Sequence, residues 1–369
     1  MIKKKNTMKK ILFTISNVEA RGGTERTTYI VASGLAERGY DVYLFSTKGK
    51  VEDIAYEYSD KINFIIQETG TNKLFSFIRY IYCLSRFLVK NKITTLVSVE
   101  AMSVLFTFPT LLLTFRRKKT QYVVWEHFNA SVTLDKKLRV WCRMLASKYA
   151  NTIVTLTQRD VALWQYKFNV KAQILSISNA SPFEVSNKRY ACDSKNIIAI
   201  GRLSYQKGFD KLITIVSKLK ETQDITGWKL QIIGSGENKE ALEKQIKDLD
   251  VEDVVEMVAN TPKIKEYYQN ASFLAMTSRF EGLPMTLLEG QSYGLPLIAY
   301  DCLTGPSEVI NDSNNGFIIP DDNENSFINK LKELMNNQVL RTQMSRQAKL
   351  DIANFSEEKI INKWVDLIN

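Results

Sequence analysis

The sequence predicts two doubly wound α/β domains in succession, and three observations carry that expectation. Its 369 residues are about two domains' worth at the usual size. Short apolar runs alternate with stretches of helical periodicity in two separate series, the signature of parallel sheets covered on both faces. Between the series lies a polar stretch, SNASPFEVSNKRYACDSK at 178–195, and the charge changes sign near it. Residues 1–190 carry 30 Lys/Arg against 14 Asp/Glu, whereas residues 191–369 carry 20 against 26. The expected division is 1–185 for a first Rossmann-like domain, 186–350 for a second, and 351–369 for a C-terminal helix packing back toward the first.

In chain order, an apolar strand at 11–16 runs into a loop holding Gly22-Gly23, followed by a helix at 26–38 that stops at Gly39. Strands follow at 42–45, 96–99, 122–125, 153–156 and 172–177. The helices between them are expected at 74–89, with Phe75, Ile78, Tyr82 and Phe87 among its large apolar residues, and at 138–149 and 159–166. The second series places strands at 197–200, 230–233, 254–257, 273–275, 297–299 and 317–319, and helices near 209–219, 241–249, 285–293 and 326–335. The last helix should bury Ile360, Ile361, Trp364 and Leu367. Open sheets of this kind take ligands at the carboxyl ends of their strands, so two such domains suggest a ligand held in a cleft between them.

Composition removes several classes. Apolar residues at 44% and charged residues at 24% fit a folded globular chain. Four scattered cysteines without a CxxC pair do not form a disulfide framework. A single histidine, His127, rules out sites needing several imidazoles. The apolar run after Lys10 is too short for a signal peptide, and Met8 leaves residues 1–7 as an extension. The longest apolar stretch, 101–115, is shorter than the roughly 20 residues of a spanning helix and contains Pro109; it reads as a core helix, with membrane contact as the alternative. The basic first half suits an anionic partner. Neither zinc-finger spacing nor an RNA-binding aromatic motif is present, so an anionic membrane surface is favoured and nucleic acid is not.

The motifs lie where strands end. NVEARGGTER at 17–26 puts two glycines between strand and helix, as close backbone approach to a phosphate or sugar requires, or as a tight turn requires without any ligand. It is not a GxGxxG fingerprint, and a P-loop is absent, which disfavours NAD and ATP. GRLSYQKGFD at 201–210 can aim Arg202 and Lys207 at one diphosphate, unless both are solvated surface cations. GSGE at 234–237 lets a ring or ribose approach backbone at Gly234, or is an ordinary turn. In FEGLPMTLLEG at 280–290, Glu281 can accept sugar hydroxyls and the Pro284–Met285–Thr286 amides can meet a phosphate. Glu289 has a competing explanation, a capping box with Thr286. DCLTGPSE at 301–308 makes a further turn beside this segment. His127 stands at the carboxyl end of the strand before WEHFNAS, where a ligand role and a buried structural role are equally open.

Taken in order, GGTER, EH, GRLSYQKGFD, GSG and the Glu281–Glu289 segment resemble glycosyltransferase family 4, retaining nucleotide-sugar transferases of the GT-B fold, over nearly the whole chain. DCLTGPSEVI, NNGFIIP and EHFNAS look like the bacterial lipopolysaccharide and capsular polysaccharide branch. The resemblance implies that Gly22 and Gly23 border the donor diphosphate and the acceptor. It implies that His127 contacts the donor sugar, that Arg202 and Lys207 hold the diphosphate, and that Glu281 binds sugar hydroxyls. It further implies that Glu289 binds the ribose, with Gly234 and the Leu283, Pro284, Met285 and Thr286 segment lining the donor. The implied donor is a UDP-sugar, the implied partner a lipid-linked glycan, and the implied place the cytoplasmic face of the inner membrane. Neither cofactor nor metal is expected. A nucleotide-sugar epimerase of the same fold and a non-catalytic partner subunit remain as alternatives.

Overall fold

The structure is a computed structural model describing residues 9–68, 73–133 and 137–369; the extension expected ahead of Met8 lies outside the described residues. It divides into two α/β units. The first contains β1 (Lys10–Ile15), α1 (Gly23–Glu37), β2 (Asp41–Ser46), β3 (Asn63–Ile66), α2 (Lys73–Lys90) and β4 (Thr95–Val99). It continues with α3 (Val104–Leu113), β5 (Gln121–Trp125), α4 (Lys137–Tyr149), β6 (Thr152–Thr155), α5 (Gln158–Lys167) and β7 (Gln173–Ser176). Seven parallel strands lie in the order β3-β2-β1-β4-β5-β6-β7. In β1, the five residues from Ile11 are all buried, because both faces of a central parallel strand are covered.

The second unit contains β8 (Asn196–Ile200), α6 (Phe209–Thr222), β9 (Lys229–Ile233), α7 (Lys239–Asp248), β10 (Val255–Val258), α8 (Ile264–Asn270) and β11 (Phe273–Met276). It is completed by α9 (Met285–Ser292), β12 (Leu297–Asp301), α10 (Pro306–Val309), β13 (Gly316–Pro320), α11 (Glu324–Asn336) and α12 (Gln338–Asp351). Its six parallel strands run β10-β9-β8-β11-β12-β13. The last helix, α13 (Glu357–Ile368), belongs to the first unit. The first boundary falls after Ala180 rather than after 185. The returning segment begins at Glu357 rather than 351, because α12 and the turn Ile352–Phe355 bury Met344, Ala348 and Ile352 within the second unit.

Three elements differ from their sequence expectation for physical reasons. Helix α2 sets the exposed Arg79, Arg86 and Lys90 opposite its buried stripe, yet carries large apolar residues on its outer side as well. Its buried residues include Tyr80, Ile81, Leu84 and Leu88, while Phe75, Ile78 and Tyr82 are exposed. In α3, Val104 and Leu111 point inward, and Leu112, Leu113 and Phe115 beyond them are exposed. The buried stripe of α13 is Ile360, Ile361, Trp364 and Ile368, so Ile368 replaces Leu367. Trp364 is fully buried, its ring 4.6 Å from Trp125 and 6.3 Å from Phe13. Ile361 lies over Gly34 of α1, where a Cβ would come within 2.6 Å of its side chain. Among the described residues, no helix is long and apolar enough to cross a membrane.

Candidate functional site

In the second unit, the strand order changes direction between β8 and β11, and the loops leaving these two strands are locked together. Gly208 has φ +63, and a Cβ there would sit 2.1 Å from the Thr277 carbonyl oxygen, so only glycine lets the backbones meet. The Thr277 hydroxyl donates to the Gly208 carbonyl at 2.8 Å, and the Arg279 amide donates to the Gln206 carbonyl at 2.8 Å. Arg279 also forks onto both oxygens of Asp210, with Nη1 2.9 Å from Oδ1, and lies 4.1 Å over the Tyr205 ring.

This locking brings Lys207 and Glu281 together: Nζ donates to Oε1 at 2.7 Å, and both side chains are largely buried. The Gln206 side chain donates to the Phe280 carbonyl at 3.1 Å and to Glu281 Oε2 at 3.4 Å. The Thr304 hydroxyl, from the loop after β12, donates to the Glu281 carbonyl at 2.6 Å. Gly305, with φ +106, presses that loop against Glu281–Pro284; a Cβ would lie 2.7 Å from Pro284 Cδ. Sequence reasoning missed Gln206 and Thr304. Their contacts to the Phe280–Glu281 segment span 74–75 residues for Gln206 and 23 for Thr304, which no local motif spells.

Arg202 is not part of that cluster. It is three-quarters exposed and pairs with the exposed Glu237, 3.3 Å away. The glycines of GSG are accounted for by packing: a Cβ on Gly234 would meet the Gly201 carbonyl oxygen at 1.9 Å, and one on Gly236 the Leu203 carbonyl oxygen at 2.3 Å. The capping-box explanation of Glu289 fails, because α9 starts at Met285 with Pro284 as N-cap and Thr286 already lies within the helix. Glu289 is buried and accepts from the Tyr268 hydroxyl at 2.5 Å; the Tyr268 ring stacks on Tyr293 at 5.3 Å. Leu283 and Pro284 are buried, while Met285 and Thr286 open the helix half-exposed. One Asp-x-Asp spelling, Asp248-Leu249-Asp250, lies exposed at the end of α7. Among the described residues there is no group of three or more potential metal ligands.

In the first unit, His127 follows β5 and is buried, its ring 4.5 Å from Trp125. Burial pushes the imidazole pKa down to about 3, so it is neutral at physiological pH. Its Nε2 has no hydrogen-bond partner among the described residues. The loop carrying it is held by ions underneath. Glu126 Oε1 accepts from the His127 and Phe128 amides at 3.1 and 3.2 Å, and Oε2 accepts from Arg143 Nε at 2.9 Å. Arg143 Nη1 also donates to the Ala130 and Val132 carbonyls, each at 3.0 Å, and Asp160 accepts from the Ala130 amide at 2.7 Å. Arg139 lies 3.6 Å from Glu126 and 3.8 Å from Glu100. The helical period of α4 turns Arg139 and Arg143 into the core and leaves Trp141 and Met144 about half exposed. Gly22 is the N-cap of α1, and a Cβ there would lie 2.6 Å from Glu25 Oε2.

Two parallel Rossmann-like units with charged groups at the carboxyl ends of their strands are compatible with a nucleotide-sugar transferase, and comparison with known proteins supports that class. The family model described as glycosyl transferases group 1 matches residues 184–351. The chain is 33% identical to an uncharacterized glycosyltransferase of Haemophilus influenzae, across 98% of this chain and all of that one. It is 34% identical to the amylovoran biosynthesis glycosyltransferase AmsD of Erwinia amylovora, with the same coverage. The fold matches a crystal structure of an S. aureus TarM mutant in complex with Fondaparinux, alpha-GlcNAc-glycerol and UDP, at TM-score 0.81 and 18% identity over 98% of this chain and all of that one. The chain therefore has the two-domain GT-B fold and belongs to the glycosyltransferases, an enzyme family, with its residues 184–351 matching the group 1 model. This corrects the resemblance drawn from the motifs: the matching family model is group 1 and not specifically glycosyltransferase family 4.

Proposed function

We propose that this enzyme moves a hexose or N-acetylhexosamine from a UDP-sugar to a hydroxyl of a lipid-linked surface-polysaccharide precursor, retaining the anomeric configuration. The observation that carries the reading is the Lys207–Glu281 pair at the switch point of the second unit's sheet, with Glu289 on the helix that follows. Support for a UDP donor and a glycan acceptor comes from TarM, solved with UDP, and from AmsD, named for amylovoran biosynthesis.

Breaking the anomeric bond leaves positive charge on the sugar ring and negative charge on the departing diphosphate. Lys207 and the amides opening α9 would stabilise the diphosphate, the electrostatic contribution that usually dominates such catalysis. Arg202 would join them at little cost, since an exposed pair such as Arg202–Glu237 is worth about 0–1 kcal/mol. Glu281, oriented by Lys207 and Gln206, would accept donor-sugar hydroxyls, and Glu289 the ribose hydroxyls. Gly22 and Gly23 would border the diphosphate and acceptor, and the unpartnered Nε2 of His127 would contact the donor sugar. Neutral at working pH, His127 is a positioning group. Double displacement would need a free carboxylate beneath the anomeric carbon. Glu281 is engaged by Lys207 at 2.7 Å, so we favour same-face attack, with the acceptor proton passing to the leaving phosphate. The basic first unit and the exposed Trp141 and Met144 support peripheral binding to an anionic leaflet, which would weaken with salt.

The test is a mass-spectrometric transfer assay with a panel of nucleotide sugars and a bacterial lipid-linked glycan extract, with and without EDTA. An acceptor gaining one sugar from a single donor, unaffected by EDTA, is the expected result. Isomerised donor without transfer would replace the reading with epimerisation.

A further inference from the structure

Glu289 lies in the second turn of α9, the helix that follows β11 at the switch point of the second unit's sheet. Its backbone has little freedom. Leu287, Leu288 and Gly290 are buried around it. A Cβ on Gly290 would lie 3.1 Å from Leu297 Cδ2 and 3.3 Å from Leu274 Cδ1, so α9 lies close upon β11 and β12. The buried Gln291 side chain donates to the Val309 carbonyl at 2.8 Å, and Ser292 Oγ is 2.7 Å from Ser181 Oγ. What is left to restrain in Glu289 is its side chain, whose torsions a ligand would otherwise have to order.

Tyr268 of α8 restrains it. From 21 residues earlier, its hydroxyl donates to Glu289 Oε2 at 2.5 Å, the length of a short charge-assisted O–H···O bond. The Tyr268 ring is itself fixed. It is fully buried and stacks on Tyr293 at 5.3 Å with the planes inclined by 8°. Phe183 meets both rings edge-on, at 6.1 Å from Tyr268 and 5.7 Å from Tyr293. The hydroxyl therefore has one place to point, and the carboxylate takes its plane from it.

A buried carboxylate is a poor way to stabilise a helix, because desolvation offsets what its hydrogen bond returns. An aromatic framework that orients one points instead to a ligand. A nucleotide ribose carries a vicinal pair of hydroxyls, and a carboxylate fixed in advance accepts from them without first being ordered. A sugar that lacks them leaves the buried acceptor unsatisfied and is rejected.

We propose that Tyr268 is a positioning residue of the donor site: its hydroxyl fixes the Glu289 carboxylate for the ribose diol and so sets the preference for ribonucleotide over deoxyribonucleotide donors. The inference rests on the transferase reading above, which assigns Glu289 to the ribose, and adds the group that prepares it.

Calorimetry on the full chain tests it with UDP and 2′,3′-dideoxy-UDP, which differ only in the diol. The native protein should bind UDP about a hundredfold more tightly, about tenfold for each hydroxyl given to an ionised carboxylate. Tyr268→Phe keeps the ring stack and removes only the hydroxyl. It should weaken UDP by about tenfold and leave dideoxy-UDP unchanged. Glu289→Leu should remove the preference for UDP, and adding Tyr268→Phe to it should change the ratio no further, because the hydroxyl acts only through the carboxylate. That second comparison stands even if Tyr268→Phe alone unfolds, since the double variant leaves neither polar group of the pair buried. A Tyr268→Phe protein that keeps the native ratio, or that loses both ligands equally as a structural defect would, overturns the proposal. So does a further fall of the ratio in the double variant. A native chain that binds UDP and dideoxy-UDP equally, or neither, overturns the assignment of Glu289 to the ribose and this inference with it. A native preference retained in Tyr268→Phe is the failure of this inference alone.

Discussion

The two units share one architecture but prepare their charged groups in opposite ways. In the second unit, the functional candidates are closed onto each other: Lys207 holds Glu281 at 2.7 Å, and glycine contacts with neighbouring backbone fix the loops that carry them. In the first unit, the charges lie below the surface of the site. Glu126, Arg139, Arg143 and Asp160 are all buried beneath the loop, and the neutral imidazole of His127, its Nε2 unpartnered, is buried with them. The difference teaches that a parallel sheet can ready its carboxyl ends by pairing charges in advance or by sinking them into the support. The first arrangement suits a group that must meet a diphosphate, and the second suits a group that must keep its place without charge.

The largest expected effect breaks the paired side. Lys207→Met should lower kcat/KM by about a hundredfold to a thousandfold, the usual consequence of removing one preorganised electrostatic contact. It also strands the buried Glu281, so some loss of Tm accompanies it. The double variant Lys207→Met with Glu281→Gln separates the two consequences: Tm should return toward wild type while the rate stays low. Recovery of rate together with Tm would mean the pair serves only the fold. On the other side, Arg143→Met leaves Glu126 without its fully buried partner and should destabilise the protein by about 3–5 kcal/mol, read from urea melts. A change near zero would show that Arg139 alone sustains Glu126.

Much of the fold was legible because central parallel strands announce themselves. Runs such as Ile11–Phe13 in β1 and Leu297–Tyr300 in β12 are continuously apolar. The edge strand β3 was not legible: the exposed Asn63 and three half-buried residues carry little pattern. Helix α12 was missed for a similar reason, since its buried positions include Arg341 and Ser345 beside Met344 and Ala348. Within the candidate site, chain-local pieces could be read, notably the glycine-bounded loop with Lys207 and the segment with Glu281. Contacts made across the sheet, such as Thr304 with Glu281 or Arg143 with Glu126, depend on which strands are neighbours, and that order is not written in any short motif. Arg202, five residues from Lys207 in sequence, shows that closeness along the chain does not spell contact either: it pairs with the exposed Glu237.

A smaller effect sharpens the first unit's side of the comparison. The imidazole of His127 has its pKa lowered from 6.5 to about 3 by burial. Below pH 6.5 the unfolded chain takes up a proton at this site and the folded chain does not, so the His127 contribution to stability is lost as pH falls. The slope approaches about 1.4 kcal/mol per pH unit. Replacing His127 with Asn should therefore flatten the acid side of the stability curve by about 2 kcal/mol between pH 6.5 and about pH 5. Asp160, with its carboxyl raised to about 7 by burial, contributes with the opposite sign, but it is present in both proteins and cancels in the difference. Parallel curves for the two proteins would show that the imidazole is protonated in the folded state.

The smallest effect tests whether the first unit's support reaches the end of the chain. Trp364 of α13 packs against Trp125, which in turn packs against His127, so the helix is part of the floor beneath that side chain. Gly34 is what lets α13 approach α1 so closely. In an isolated helix Gly→Ala gains about 0.5–1 kcal/mol. Here the added Cβ would lie within 2.7 Å of Ile361 Cγ1 and Cδ1, an overpacking that costs about 1–3 kcal/mol. The net effect of Gly34→Ala should therefore be a loss of about 1 kcal/mol. With Ile361→Ala already in place the clash is gone, and the same substitution should become stabilising. That reversal of sign, measured as a double-mutant cycle in urea, would fix α13 to α1 through this pair. A Gly34→Ala effect of the same sign and size in both backgrounds would mean that the helix is held by Trp364 alone, and that the close approach at Gly34 adds nothing to the support beneath His127.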